Sequence, residues 1–461
     1  MFTSVGAHGH FRPMAPLAQA LRAAGHDVIV ATAESFRKAV EDLGLELLPV
    51  GITDGEAGRR LVAAYPEYLS MSTAERSRRV VVDLFVGVLT PATLADLPRL
   101  VDWAPDIVVR EEGEFAGPIV AAKVGVPWVD HGWGPMRPPE MVAAAAAALE
   151  PMWRAHGLAP GAAGGAYRWL YLDPCPPSLQ FPYAADVEVA RPVRPEIARS
   201  RRPPSELDWI ADVRRPIVYV TLGTVPLMTS DLEFFQIAIA ALAGDVELVI
   251  TVGPRGRPDA LDPVRAGVHV ERFISQAALL PHCALLISNG GAGSTLGALA
   301  AGVPVLAVPA SPPSQRRNAD ALVACGAGRR LERHELSVER MRAEAGTMLS
   351  DPSYRAVAQR IAAEIVAMPG VEHAARLVGT ARPRAAADPG PRRPLPLTSF
   401  DALAPRVRQR LVDIRASALL GVISHGGLHS LTRAALRRVL GARPRASRAA
   451  SLARRAHPGG A

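Results

Sequence analysis

The sequence predicts an α/β protein of two doubly wound, parallel-sheet domains facing across a cleft, with a basic helical C-terminal extension. Three observations predict it. A strand, glycine-rich turn, helix, strand order opens the chain and recurs from residue 216. The strand candidates are short, continuous apolar runs, the pattern of strands buried on both faces of a parallel sheet. Stretches rich in Pro and Arg interrupt the pattern around residues 191–215 and again after residue 381. The expected boundaries are therefore an N-terminal domain at 1–190, a linker at 191–215, a C-terminal domain at 216–380 and an extension at 381–461.

Each element follows in order. Phe2 to Val5 is a very short first strand, short enough to suggest residues upstream of Met1. The turn GAHGHFRP leads into a helix in which Leu17 and Leu21 share a face and Gly25 ends the run. Val28 to Ala31 is the second strand and Leu45 to Val50 the third. Residues 54–100 read as helix with loops. Pro105 to Val109 is a strand leading into Arg110-Glu111-Glu112, Phe115 to Val124 a helix, and Val126 to Val129 a strand. In the second half, Pro216 to Thr221 is a strand ending at Gly223-Thr224. Phe234 to Leu242 is a helix, and Glu247 to Val252 and Val268 to Arg272 are strands. Leu285 to Ser288 is a strand running into Asn289-Gly290-Gly291-Ala292-Gly293-Ser294-Thr295. A helix to Ala301 and a strand at Val303 to Pro309 complete the pattern.

Composition excludes several classes. A chain of 461 residues with 49 % hydrophobic residues is neither a small module nor disordered. Cys175, Cys283 and Cys325 are odd in number, far apart and form no CxxC, which excludes a disulfide framework and a cysteine zinc site and fits a reducing cytoplasm. No apolar run reaches about 18 residues and no signal-peptide pattern opens the chain. The formal charge of +8 is uneven: residues 381–461 carry 16 Arg and 3 Asp, a net +13, which leaves −5 on the first 380. Nucleic-acid binding is not expected, because the tail lacks stacking aromatics and helix-turn-helix spacing. The tail repeats apolar residues at near-helical spacing (Phe400, Leu403, Val407, Leu411, Ile414), with Arg residues off that stripe. It offers a surface for a membrane or a partner protein, and its removal should leave the chemistry of the body intact.

Two features carry chemistry. In open α/β sheets ligands bind beyond the carboxyl ends of the strands, where the strand order reverses. His10 lies in the first such turn and Glu111 just past a later strand, so a histidine–acid pair can assemble there for proton transfer. The turn lacks the GxGxxG dinucleotide fingerprint. The Gly290–Thr295 segment is a glycine turn at a helix N-terminus, suited to phosphate, and Gly223-Thr224 is a second glycine turn at the end of a neighbouring strand. No GxxxxGK[ST] surrounds either, which excludes a P-loop. Trp133 and His131, after a strand end, are candidates for an apolar acceptor pocket. His8 and His131 are reserve candidates for a base, and His282 reads as structural.

At this point a resemblance is specific. FISQAALLPHCALLISNGGAGSTLGALAAGVPVLAVPASPPSQRRNADALVACGAG resembles the donor-binding signature of family 1 glycosyltransferases, of the actinobacterial natural-product type. GAHGHFRPMAPLAQALRAAGHDV and APDIVVREEGEFAGPIVAAKVGVPWV resemble the matching N-terminal segments, and the resemblance covers residues 1–375. It implies the GT-B fold, two Rossmann-like domains across a cleft, and inverting, metal-independent transfer without a cofactor. The donor would be a UDP- or dTDP-sugar and the acceptor a hydroxyl of a hydrophobic small molecule such as a secondary metabolite. By the same resemblance His10 would be the general base and Glu111 its carboxylate partner. Phe273 would stack on the nucleotide base, Ile274 would offer backbone contacts and Gln276 would lie on the nucleoside side. Gly291, Ala292, Gly293 and Ser294 would bind the diphosphate, flanked by Gly223 and Thr224, and Gln315 would hold donor-sugar hydroxyls. The chain departs from the family where Asn289 replaces a histidine, Ser314 an aspartate, Gly297 a glutamate, and Glu111 an aspartate. These departures favour a deoxysugar donor with fewer hydroxyls. Two other readings remain at this stage: a sugar-nucleotide epimerase, and a non-catalytic or auxiliary nucleotide-sugar-binding protein.

Overall fold

Thirteen short strands, β1 to β13, form two separate all-parallel sheets in the computed structural model, which describes residues 1–196, 204–223, 231–253, 256–261, 265–310 and 312–381. The expected basic helical extension lies outside the described residues from 382 onward, as does Thr224. The N-terminal sheet has seven strands: β1 (Phe2–Thr3), β2 (Ile29–Thr32), β3 (Glu46–Pro49), β4 (Val108–Glu111), β5 (Trp128–His131), β6 (Leu170–Asp173) and β7 (Ala190–Pro192). Their order is β3-β2-β1-β4-β5-β6-β7. The C-terminal sheet has six: β8 (Ile217–Thr221), β9 (Glu247–Thr251), β10 (Val268–Glu271), β11 (Cys283–Ser288), β12 (Val305–Ala307) and β13 (Gly328–Arg330), in the order β10-β9-β8-β11-β12-β13. Chain order reverses between β1 and β4 in one sheet and between β8 and β11 in the other. Those are the two crevices in which such sheets bind ligands.

The helices start and stop on local chemistry. After α1 (His8–Phe11), α2 (Ala15–Ala23) carries Pro16 in its first turn and buries Leu17, Ala18 and Leu21. α3 (Gly117–Val124) has Pro118 at its start and ends on Gly125 at φ 75°. That left-handed conformation favours glycine. α4 (Leu232–Leu242) is capped by the Asp231 carboxylate, which accepts from the Phe234 amide. α5 (Ala292–Ala300) follows β11, α6 (Pro313–Cys325) follows β12, and α7 (Val371–Thr380) ends the described body. Among the described residues no helix is long and apolar enough to cross a membrane.

The alternation of strands and helices matches the sequence expectation, with several differences. β4 begins at Val108 and runs through Glu111, two residues beyond the apolar run. It continues because the buried Arg110 guanidinium is neutralised by the equally buried Asp130 on β5. β6, β7 and β13 were not anticipated; β7 is an edge strand, where Pro192 is tolerated. The residues assigned to a linker at 191–215 are packed at both ends. Val193 is buried in the N-terminal core, and Leu207, Trp209, Ile210 and Val213 lie against the C-terminal core. The C-terminal domain does not extend to 380 by packing: α7 crosses back onto α2 and buries Ala374, Ala375 and Val378 among N-terminal residues. Cys175 and Leu179 make the converse crossing into the C-terminal core. The two halves are thus stapled in both directions at the ends of the sheets.

Candidate active site

The loop after β1 approaches the end of β2 so closely that a Cβ on Gly6 would lie 2.8 Å from the Ala33 Cβ. It then turns into α1, which delivers His10 to the N-terminal crevice. Glu111, the last residue of β4, faces it from the other side of the strand-order reversal. His10 Nδ1 lies 3.0 Å from Glu111 Oε1; the His10 side chain is 16 % exposed and that of Glu111 0 %. The ring N–H is not aligned on the oxygen as a linear hydrogen bond, so the contact is electrostatic in kind. Burial alone would raise the Glu111 carboxyl; the neighbouring His10, the Gly113 amide and Arg137 outweigh it and hold the group below its usual value.

The second carboxylate oxygen, Oε2, accepts the Gly113 amide and the Trp133 indole N–H at 3.0 Å. The Trp133 ring lies against the His10 ring, with centroids 4.5 Å apart, and Phe85 stacks against His10 at 5.6 Å. Phe85 comes from a π-helical stretch, Val81–Leu89. Such wide turns are rare and cluster at functional sites. Trp133, expected in an acceptor pocket, is therefore half-buried against the histidine–carboxylate pair. His131 pairs with Glu111 in the β4–β5 register, yet its side chain is buried and its Nδ1 sits 2.7 Å from the Gly132 carbonyl oxygen. Burial, the main cause, pushes its pKa down to about 4, so it is neutral near pH 7. It presents no exposed face to an acceptor. His8 packs on Phe36, and His282 is exposed at the end of a short 3-10 helix, Leu280–His282.

The C-terminal crevice has the glycine geometry expected of it. Gly223, after β8, has φ 77°, and Gly290, after β11, has φ 72°. A Cβ on Gly290 would come 2.9 Å from the Gln315 carbonyl oxygen, so only glycine lets the loop pass under α6. Gly291 is the N-cap of α5, and the amides of Ala292, Gly293 and Ser294 have no acceptor within the helix. Gly293 is exposed and nothing lies within 4 Å of its would-be Cβ, which leaves room for a ligand. Asn289 donates from Nδ2 to the Leu222 carbonyl at 2.9 Å and accepts the Gly291 amide on Oδ1 at 3.1 Å. It ties the two glycine turns together. Gln276 donates to the Ser294 hydroxyl at 3.1 Å. Phe273 is 51 % exposed at the end of β10, while the Ile274 side chain is buried in the core. Ser314 is half-buried in the first turn of α6, and buried Gln315 accepts the Ala310 amide on Oε1. Among the described residues no three His, Cys, Asp or Glu side chains are grouped to hold a metal ion.

Sequence reasoning missed the residues that join the two crevices. Arg317 Nε donates to the Pro135 carbonyl at 2.8 Å, and its Nη2 lies 3.7 Å from Glu112 Oε1. Asn318 donates to the Gly290 carbonyl at 2.7 Å. Glu112 also accepts the Tyr171 hydroxyl and lies 4.0 Å from Arg137 Nε. A Cβ on Gly134 would sit 3.1 Å from Asn318 Oδ1 and 3.4 Å from the Ala292 Cβ. The segment after β5 thus touches the His10–Glu111 pair at Trp133 and the donor-side helix at Gly134. The sequence signal was present: Arg317 and Asn318 are adjacent polar residues on the same helix as buried Ala319, Ala321 and Leu322.

Comparison with known proteins agrees with this architecture. The family model for erythromycin biosynthesis protein CIII-like proteins matches with its N-terminal domain at residues 19–196 and its C-terminal domain at residues 237–378. The L-demethylnoviosyl transferase of Streptomyces niveus is 33 % identical over 372 residues, covering 79 % of this chain and 93 % of that protein. The TDP-daunosamine transferase DnrS of Streptomyces peucetius is 30 % identical, covering 80 % and 93 % respectively. The crystal structure of the Streptomyces sp. SF2575 glycosyltransferase SsfS6 with thymidine diphosphate superimposes with a TM-score of 0.65 at 26 % identity, covering 82 % of this chain and 98 % of that one. These relatives favour sugar transfer over the epimerase and binding-only readings. With two parallel-sheet domains of the GT-B type, the chain belongs to the erythromycin biosynthesis protein CIII-like family and is an enzyme that transfers sugar, a glycosyltransferase of the natural-product type.

Proposed function

We propose that this enzyme moves a sugar of the deoxysugar class from a dTDP- or UDP-sugar to a hydroxyl of a hydrophobic small-molecule acceptor, with inversion and without a metal ion. The observation that carries the reading is the 3.0 Å approach of His10 Nδ1 to a fully buried Glu111 carboxylate, one short segment away from an open helix N-terminus. With Nδ1 turned to Glu111, the other ring nitrogen, Nε2, takes the acceptor proton. The freed oxygen forms the bond to the anomeric carbon as that carbon's bond to the diphosphate breaks. A single displacement attacks from the face opposite the leaving group, hence inversion. Glu111 stabilises the imidazolium that results, as a buried carboxylate does in a histidine–acid pair. The amides of Ala292, Gly293 and Ser294 and the α5 dipole stabilise charge building on the departing diphosphate.

The thymidine diphosphate bound by SsfS6 and the TDP-sugar named for DnrS support a dTDP donor. Ser314 in place of the family's aspartate supports a sugar with fewer hydroxyls to hold. Exposed Phe273 supports stacking on the nucleobase. His10→Ala tests the base. Transfer from a dTDP-sugar to a phenolic acceptor should fall by about 10²–10⁴-fold, the usual contribution of base catalysis. Thymidine diphosphate binding, measured by calorimetry, should be unchanged. A variant with wild-type turnover overturns the assignment.

A further inference from the structure

The structure points to Trp133 as a positioning residue for the histidine–carboxylate pair, an inference that rests on His10 being the base. A buried carboxylate needs every oxygen lone pair it can satisfy. Glu111 Oε1 is directed at His10, with the Val5 amide at 3.4 Å. Oε2 has two donors, the Gly113 amide and the Trp133 indole N–H at 3.0 Å. Only the second is a side chain and so open to substitution. The same indole limits where the imidazole can lie, because its ring tilts against His10 at 4.5 Å while Phe85 lies on the imidazole at 5.6 Å. Trp133 therefore acts on both members at once: its N–H fixes the carboxylate and its ring fixes the imidazole.

Its own placement is determined from outside the pair. Arg137 lies over the indole at 5.5 Å. Gly134 abuts Ala292 and Asn318, and the Pro135 carbonyl receives Arg317. The indole is thus anchored to the first turn of α5 and to α6, the elements of the opposite crevice. A shift of the donor-side helices carries Trp133 with it, and with Trp133 the geometry of the base.

Hydrogen bonding to a carboxylate lowers its basicity. Removing the indole donor leaves Glu111 more basic, and a more basic neighbour favours the imidazolium. Trp133→Phe keeps a ring against His10 and deletes the donor, whereas Trp133→Ala deletes both. The experiment follows the His10 ring nitrogens by NMR on ¹⁵N-histidine-labelled full-length protein across pH, with His10→Gln to assign the signal and Trp103→Phe as a control. In Trp133→Phe the His10 midpoint should move up, with no movement in the control. Turnover with a dTDP-sugar and a phenolic acceptor should fall about tenfold in kcat with little change in donor KM, the loss of one charge-assisted hydrogen bond. A Trp133→Phe protein whose His10 midpoint matches wild type overturns the proposal, whatever its turnover. If instead the midpoint moves but His10→Ala keeps full turnover, the positioning stands and the base assignment falls. Trp133→Ala unfolding leaves the Phe variant to decide.

Discussion

Gly113 is where Glu111, His10 and Trp133 meet, and Gly113→Ala is the sharpest perturbation the structure offers. A Cβ there would lie 2.9 Å from Glu111 Oε2, 3.1 Å from His10 Cε1 and 3.1 Å from Trp133 Cζ2. Gly113 is not among the positive-φ glycines, so alanine is tolerated by the backbone and the whole effect is contact. Ordinary carbon contacts need about 3.5–4.0 Å, so each partner must retreat by several tenths of an ångström or more. Glu111 cannot retreat freely, because its Cα is fixed by the β4 pairing and Oε2 is held by the Gly113 amide itself. Overpacking of this kind costs about 1–3 kcal/mol in stability. In a domain of this size each kcal/mol lowers the melting midpoint by about 2–4 °C. The loss in rate should be larger, about 10²-fold in kcat, because displacement of reacting groups by an ångström or less has that effect. The assay is the ratio of kcat loss to melting shift, compared with Gly346→Ala. That exposed helical glycine has nothing within 4 Å of its would-be Cβ and should gain about 0.5–1 kcal/mol with unchanged turnover. Wild-type kcat in Gly113→Ala at a normal melting temperature would refute the three-way packing.

Two further outcomes are expected. Phe273→Ala removes a half-exposed aromatic and should raise the donor KM about tenfold or more, the size of a lost base–aromatic stack, without lowering the melting midpoint; an unchanged KM would place the nucleobase elsewhere. His131 has a folded pKa near 4 against an ordinary 6.5, so the unfolded chain binds the extra proton between those values. Stability should therefore be complete above pH 6.5 and fall by about 3 kcal/mol as pH drops towards 4, and chemical denaturation of His131→Gln over the same range should show a flatter slope.

Much of this was legible in the sequence because the periodic signals were strong. The apolar runs at Val28 to Ala31 and Leu285 to Ser288 are short, bounded and β-branched or leucine-rich, and read as buried parallel strands. The glycine turn after the second run, Gly290-Gly291, read as a strand end opening a helix. Position at a strand end also made His10 and Glu111 visible, since topology alone converts that position into a crevice wall. What stayed hidden depended on lateral contacts. Trp133 was noticed as an aromatic near a strand end, but its hydrogen bond to Glu111 requires β5 to lie beside β4 in a register that sets His131 opposite Glu111. Asn289 and Gln315 were read as facing the donor, yet each also satisfies the backbone of its own loop. The Pro- and Arg-rich composition of 191–215 concealed an edge strand and an apolar cluster that needs the opposite domain to pack against.

The departure at Glu111 becomes intelligible in this frame. A carboxylate one methylene longer than the family's aspartate reaches further from the end of β4. At that reach it finds two donors beyond His10, the Gly113 amide and the Trp133 indole. A shorter side chain on the same Cα would fall short of the indole by about 1.5 Å, one carbon–carbon bond. The next residue, Glu112, accepts the Tyr171 hydroxyl on Oε2 and has Arg137 and Arg317 at 4.0 and 3.7 Å from Oε1, rather than the imidazole. Two adjacent buried carboxylates are therefore divided between two tasks. Glu111 points towards the histidine and takes neutral donors. Glu112, which lies beyond the end of β4, faces two cations, Arg137 of its own half and Arg317 of the other. The division removes an ambiguity of register that the run Glu111-Glu112-Gly113-Glu114 leaves open on paper. It also couples the tasks, because Trp133 and Arg317 meet through the same three residues, Trp133 to Pro135. A displacement of the Pro135 carbonyl by the other half therefore acts on the same short segment that carries the indole hydrogen-bonded to Glu111.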